Sequence, residues 1–340
     1  MSHIIAPGTS LTAQDVADLI DHALLKPELT PQEVEQTCRE LAQDEIWSVC
    51  VRPSDVRLAL QAVEGHQTRV CTVIGFPHGT TSTAAKVAES RQALADGATE
   101  LDMVLNIGRL RGGDVEAVKQ DIAAVVETGH AAGVLVKVIF ETALLDEAQK
   151  EAACRASEDA GADFVKTSTG FAGGGATLPD VRLMRATIPD TMQVKASGGV
   201  RDIDTLLAMV AEGVTRIGTS STEALLAGAR EREEEGTLVV PEPGARLPAP
   251  TARVTDRAVG STDRARASTD RGQRVHTARP VRAYRASGRS DRAAGQLTRS
   301  MTMLSAVSTW SAVPMAQDPS SASVARPSRC SSSVCSVRSG

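Results

Sequence analysis

The strongest constraint on this chain is a beat of strand and helix. Eight short apolar runs punctuate residues 1–240: "LIDHALL" (19–25), "IWSVCV" (46–51), "RVCTVIGF" (69–76), "ELDMVLNI" (100–107), "VLVKVIFE" (134–141), "DFVKTS" (163–168), "QVKAS" (193–197) and "RIGTS" (216–220). Amphipathic stretches fill the gaps between them. Thr30-Pro31-Gln32-Glu33 reads as a capping box with proline at the first helical position, opening a helix whose Val34, Cys38 and Leu41 share a face. Asp114 precedes another helix, with Val118, Ile122 and Val125 at helical spacing, and Ser220 with Glu223 reads as a further capping box. Strands that alternate with helices build a parallel sheet. Eight such units in about 240 residues match a closed (β/α)8 barrel. An open doubly wound sheet is the competitor, but the early G-x-G-x-x-G turn of a dinucleotide fold is missing. The expected fold is therefore α/β, a TIM barrel.

The beat stops after about Glu242, and the composition changes with it. From Gly244 to Gly340 there are 16 arginines, no lysine and five aspartates, a net charge of +11 that leaves −16 for residues 1–243. This segment has no Ile, Phe or Asn, and repeats "TDR" at 255, 262 and 269. A seven-residue spacing could mark a coiled coil, but the seam offers only Ala, Val and Gly. Low hydrophobicity with high positive charge predicts a disordered tail. The expected organisation is a barrel over 1–240 and a basic, disordered segment over 241–340. Such an arm could hold nucleic acid through phosphates. With only Tyr284 and Trp310 as aromatics, no more than weak binding is expected.

Other bulk features narrow the class. No run of 18 apolar residues is present, so no membrane span is expected, and "MSHIIAPGTSLTAQD" lacks the pattern of a signal peptide. The six cysteines form no CxxC pair and no regular framework. A reducing cytoplasm is the expected setting.

Chemistry is expected at the C-terminal ends of barrel strands. Residues 1–240 contain seven lysines, and three of them, Lys137, Lys166 and Lys195, fall in strand runs, where surface lysines do not belong. Alternation along "VLVKVIFE" places Lys137 on the face of Leu135 and Ile139, opposite Val136, Val138 and Phe140. Strands five, six and seven are barrel neighbours, so the three amines can converge, with Asp102 comparably placed on strand four. Three ammonium groups around one carboxylate cannot all stay charged comfortably. One lysine is expected to become a free amine, the nucleophile for a Schiff base with a carbonyl substrate. A buried ion-pair network is the structural alternative. The glycine-rich loops "STGFAGGGAT", "SGGVRD" and "GTSSTE" follow strands six, seven and eight, and their amides suit an anion such as a phosphate. Cys50 and His22 tempt as a reactive pair; Cys50 is read as barrel packing and His22 as a structural hydrogen-bond partner.

Taken in order, "LIDHALLKPELT", "SVCV", "VIGFPHGTTSTAAKVAE", "GATELDMVLNIG", "VKVIFET", "FVKTSTGFAGGGAT" and "VKASGGVRD" resemble the deoxyribose-phosphate aldolase family over residues 15–228. The resemblance implies a class I aldolase that needs no metal and no organic cofactor. Its reaction is the reversible cleavage of 2-deoxy-D-ribose 5-phosphate into acetaldehyde and D-glyceraldehyde 3-phosphate. It implies Lys166 as the Schiff-base lysine, Lys195 as the neighbouring cation and Asp102 in proton transfer. Lys137 would help hold the network and the substrate hydroxyl. Gly170, Gly198, Gly199, Ser220 and Ser221 would hold the phosphate, with Arg201 nearby. Ala23 stands where the family usually has threonine, and Phe171 where some relatives have lysine, which bears on substrate preference. The terminal tyrosine of some relatives has no counterpart at Gly340. Two other functions stay open at this point. One is a Schiff-base barrel for another phosphorylated sugar; the other is an inactive barrel that presents the tail to nucleic acid. Association into homo-oligomers is compatible with either.

Overall fold

The computed structural model describes residues 4–244, so all but residues 241–244 of the segment expected to be disordered lie outside the described residues. Eight parallel strands close on themselves in chain order. They are β1 (Ile20–Leu24), β2 (Ser48–Val51), β3 (Arg69–Ile74), β4 (Glu100–Val104), β5 (Leu135–Ile139), β6 (Phe164–Lys166), β7 (Gln193–Ser197) and β8 (Val214–Thr219). Closure is direct: Ile20, Asp21 and His22 of β1 pair in register with Ile217, Gly218 and Thr219 of β8. Each strand lies within or overlaps an apolar run, and trimming is confined to the ends, where the chain turns out of the barrel.

The helices follow the beat. α1 (Ala13–Ala17) precedes the barrel, and α2 (Pro31–Gln43), α3 (Val56–Ala62) and α4 (Thr83–Ala95) follow the first three strands. α5 (Ile107–Arg111) is a short extra turn before α6 (Val115–His130). α7 (Glu147–Asp159), α8 (Leu178–Thr187), α9 (Ile203–Ala211) and α10 (Thr222–Glu234) complete the ring. Thr30 caps α2 as expected: its hydroxyl accepts from Glu33 N–H, and Glu33 accepts from Thr30 N–H at 2.7 Å. Asp114 caps α6 by accepting from Ala117 N–H. The capping box expected at Ser220 does not form. Ser221 occupies the cap without a side-chain bond, because α10 begins one residue later than a Ser220–Glu223 box requires.

The main core lies between the outer strand faces and the helices. Val34, Cys38 and Leu41 of α2 and Val118, Ile122 and Val125 of α6 are buried in it, as are Val136, Val138 and Phe140 of the β5 segment. Burying each such side chain contributes about 1.5–3 kcal/mol. An antiparallel clasp joins the two ends of the described chain. Gly8 N–H donates to Val240 O at 2.8 Å, Leu11 N–H to Leu238 O at 2.9 Å, and Val240 N–H to Thr9 O at 3.0 Å. Leu238 and Val240 are buried, so the cooperative unit runs past the last helix.

Candidate active site

Alternation along the strands sends a second set of side chains inward, and this set is unusually polar. In place of branched aliphatic layers, the interior holds Asp21 and Ser48, Glu100 and Asp102, Lys137, Lys166, Lys195 and Arg216, all buried. Beside them Cys50, Cys71, Val73 and Leu25 form a separate apolar cluster packed against Ala23 and Phe76.

Asp102 is the hub. Its Oδ2 accepts from Lys166 Nζ at 2.7 Å and Lys195 Nζ at 2.8 Å, and its Oδ1 accepts from Lys137 Nζ at 2.8 Å. Register explains the convergence, since Asp102 is level with Lys137 across β4–β5 and Lys166 is level with Lys195 across β6–β7. Three groups absent from the sequence reading complete the network. Asp21 accepts from Lys195 at 2.5 Å, from Arg216 at 3.0 Å and from Ser48 at 2.7 Å. Glu100 accepts from Lys137, from Arg216 at 3.0 Å and from Trp47 Nε1 at 2.7 Å. The picture of three amines around one carboxylate is therefore corrected: three lysine amines and the Arg216 guanidinium meet three carboxylates.

Charge balance follows from that count. Burial opposes the Asp102 carboxylate, yet Lys137, Lys166 and Lys195 hold it well below the usual carboxylate range. Burial likewise opposes the ammonium of Lys195, but Asp102 and Asp21 outweigh it and raise Lys195 above its ordinary value. Lys137 is likewise raised: burial opposes its ammonium, but Asp102, Cys71, Glu100 and Asp21 outweigh it. Lys166 differs in partners. It pairs with Asp102 alone, whereas Lys195 touches two carboxylates and Lys137 three. It is also the least enclosed of the three, 4% exposed against 0% for Lys137 and 1% for Lys195.

Above the network opens a cavity of about 380 Å³. Of the residues anticipated for the site, Lys166, Lys195, Gly170, Gly198, Gly199, Arg201, Ser220 and Ser221 all line it. Asp102 and Lys137 do not; they lie beneath, fully buried. Lys26, which follows β1, also lines the cavity and escaped the sequence reading. Its loop is pinned by Arg52, whose guanidinium donates to the carbonyls of Lys26 (3.1 Å), Pro27 (3.2 Å) and Leu29 (2.9 Å). Two close approaches require glycine. A side chain on Gly218 would meet Ser197 Oγ at 2.1 Å and Lys195 Cε at 3.2 Å, so the missing Cβ makes room for the lysine. One on Gly175 would strike the Gly198 carbonyl at 2.4 Å, so the loops after β6 and β7 can nest only without it. Phe171 stands at the rim against Phe76, ring centroids 5.2 Å apart and edge to face.

His22 and Cys50 make no pair. His22 Nδ1 lies 2.8 Å from Thr222 Oγ1, and burial lowers its pKa to about 4. Cys50, Cys71 and Asp102 each bring one ligand-type atom within 4.8 Å of the others. Both Asp102 oxygens already receive ammonium groups, and that positive charge opposes a metal cation there.

Comparison with known proteins agrees with this geometry. Residues 16–229 match the model of the DeoC/LacD family aldolase. The chain is 51% identical over 211 residues to a deoxyribose-phosphate aldolase of Brevibacillus brevis, covering 62% of this chain and 95% of that one. It is 49% identical over 225 residues to the deoxyribose-phosphate aldolase of Thermococcus gammatolerans, covering 66% of this chain and all of the relative. Among solved structures, the tetrameric deoxyribose phosphate aldolase of Aeropyrum pernix superposes with a TM-score of 0.58 at 33% identity, over 66% of this chain and 92% of that one. The strand lysines, the Asp102 hub and the glycine-lined mouth thus sit in a chain that belongs to the DeoC/LacD aldolase family.

Proposed function

We propose that this protein is a class I aldolase that reversibly cleaves 2-deoxy-D-ribose 5-phosphate into acetaldehyde and D-glyceraldehyde 3-phosphate through a Schiff base on Lys166. One observation carries the assignment of the lysine. Lys166 is the only one of the three strand lysines that both lines the cavity and has a single carboxylate partner. The other two are committed to holding the network together.

In this reading the Lys166 amine adds to the C1 carbonyl of the open-chain sugar, and loss of water leaves the imine. Removal of the C3 hydroxyl proton breaks the C2–C3 bond. The electron pair moves into the imine as an enamine, and D-glyceraldehyde 3-phosphate leaves. The enamine then takes a proton at C2, and water releases acetaldehyde. Asp102 handles protons through water, since its carboxylate is held next to the Lys166 nitrogen. Lys195, fixed as an ammonium by Asp21 and Asp102, supplies the neighbouring positive charge. Lys137 acts from below by locking Asp102 in place rather than by reaching the cavity. At the mouth, Gly170, Gly198 and Gly199 offer backbone amides to the phosphate, beside Ser220 and Ser221, and Ser221 caps α10 without spending its hydroxyl on the helix. Arg201 and Lys26 add positive charge there.

The same reading assigns the aldolase domain to the chain through about Val240 and leaves the basic segment outside the chemistry. A cytoplasmic setting accords with the four described cysteines, all free thiols. Homo-oligomers belong to this reading as well, the Aeropyrum pernix relative being tetrameric. Among the described residues no helix is long and apolar enough to cross a membrane. The deciding experiment is borohydride trapping with acetaldehyde followed by peptide mapping. The label is expected on Lys166; a label on Lys195 or Lys137 overturns the assignment.

A further inference from the structure

We propose that Cys50 and Cys71 are a modification site: a dithiol inside the barrel that hydroperoxides convert to a reversible disulfide, disturbing the Asp102 hub. The observations begin with register. Cys50 of β2 and Cys71 of β3 are direct Cα partners on adjacent parallel strands. Neighbouring strands lie about 4.8 Å apart, inside the Cα window of about 4.4–6.8 Å that a disulfide bridges. Both side chains point into the barrel, in the small apolar cluster with Leu25 and Val73. Their sulfurs lie within 4.8 Å of each other and of an Asp102 oxygen.

Access and reactivity divide between the two thiols. Cys50 lines the cavity, where a hydroperoxide can reach it, while Cys71 is fully buried behind it. The amines of Lys166 and Lys195 line the same cavity as Cys50, and positive charge beside a thiol favours its thiolate. The other described cysteines contrast sharply. Cys38 and Cys154 sit on helices in the outer core, and burial pushes both up to about 12. Cys50 is thus the attacking sulfur and Cys71 the resolving one.

The chemistry balances with one named oxidant. Cys50 sulfur attacks the outer oxygen of hydrogen peroxide, and the O–O bond breaks. The thiol proton leaves with the hydroxide as water, and Cys50 becomes a sulfenic acid. Cys71 sulfur then attacks Cys50 sulfur, and the S–O bond breaks. The hydroxyl departs with the Cys71 proton as a second water. Two thiols have been oxidised by two electrons and the peroxide reduced by two. A dithiol reductant reverses the bond by exchange.

The consequence reaches the active site through one contact. Cys71 Sγ donates to Asp102 Oδ1 at 3.2 Å and lies 3.6 Å from Lys137 Nζ. A disulfide has no proton to donate, and bonding draws the sulfur toward Cys50. Asp102 loses a hydrogen bond on the oxygen that also holds Lys137.

The test uses the full chain with Cys330 and Cys335 replaced by serine, so that only the described thiols report. After brief exposure to hydrogen peroxide, a non-reducing digest should contain a Cys50–Cys71 linked peptide lighter by two hydrogens. Aldolase turnover should fall about tenfold, the scale of one hydrogen bond to a charged group, and dithiothreitol should restore it. In the Cys71→Ser variant no link should form, and longer exposure should carry Cys50 to its sulfinic acid, which dithiothreitol does not reverse. The proposal is overturned if both thiols stay open to alkylation after peroxide treatment. It is equally overturned if activity falls with no linked peptide. The linked peptide is read by mass alone, so its outcome stands apart from that of the aldolase assignment.

Discussion

Two buried lysine–aspartate pairs lie on opposite faces of the same sheet. Outside the barrel, Lys86 of α4 meets Asp121 of α6 at 2.5 Å, and Lys86 Nζ also donates to the Val104 carbonyl at 2.8 Å. Asp121 spends its other oxygen on the Thr83 hydroxyl at 2.8 Å. One cation faces one anion there, and neither lines the cavity. Inside the barrel, Lys166 meets Asp102 at a similar 2.7 Å, but Asp102 is shared with two more ammonium groups and Lys166 faces the cavity. Burial and ion pairing alone therefore do not single out Lys166 as the proposed nucleophile. What separates the pairs is the ratio of cations to carboxylates and access to a cavity.

Crossed substitutions break or sharpen this contrast, and their effects are the largest expected. Lys166→Arg retains the positive charge but supplies no nucleophilic amine. Turnover should fall at least about a thousandfold while circular dichroism and the denaturation midpoint change little. Lys86→Met should do the reverse. It strands the Asp121 carboxylate in the core and should cost about 3–5 kcal/mol of stability, with kcat per folded molecule retained. If Lys86→Met abolishes turnover in molecules that remain folded, the distinction between the two faces of the sheet is wrong.

A smaller effect concerns where the cooperative unit ends. A chain ending at Glu235 keeps every strand and every candidate site residue, but it loses Leu238 and Val240 and the clasp to residues 8–11. A chain ending at Gly244 keeps them. The shorter form should be less stable by about 3 kcal/mol or more, from the apolar burial of two side chains, as read by urea denaturation. Equal midpoints for the two forms would show that the clasp contributes nothing.

The third effect depends on pH. His22 is buried, and its pKa is lowered from 6.5 to about 4. Between those values the unfolded chain takes up a proton that the folded chain refuses, so stability falls as pH drops from about 6.5 towards 4. The loss from this group should be on the order of 2 to 3 kcal/mol at pH 4.5. His22→Gln should remove that part of the acid sensitivity when unfolding is compared at pH 7 and pH 4.5. An unchanged slope would place the acid sensitivity elsewhere. Smallest is Arg201→Ala, which should raise KM for the phosphorylated sugar about tenfold. A kcat effect without a KM effect would place Arg201 in the chemistry instead of at the phosphate.

The candidate site was legible wherever a charge interrupted an apolar run at a position already under suspicion. Lys137, Lys166 and Lys195 were found because strands rarely carry lysine, and Asp102 because it stood level with them. Asp21, Glu100 and Arg216 gave the same signal in "LIDHALL", "ELDMV" and "TRIGT". Glu100 even lies two residues from Asp102, hence on the same face. They were passed over because a charge near a strand end also suits solvent. Lys86 was hidden more deeply, since nothing in "TAAKVAE" distinguishes a buried helical lysine from an exposed one.

By itself, the sequence determined the strand–helix alternation, the closed barrel and the amines facing inward, because side-chain period and element length are local properties of the chain. Tertiary structure alone decided which oxygen each amine meets. That outcome depends on register between strands far apart in sequence, such as Lys195 with Asp21, 174 residues away. It also decided that Ser220 and Ser221 line the cavity and that Ser221 caps α10 without a side-chain bond, that Leu238 and Val240 belong to the core, and that Cys50 stands beside Cys71. Each is a contact between distant segments, set by how the closing barrel brings neighbouring strands level, and no local pattern encodes it.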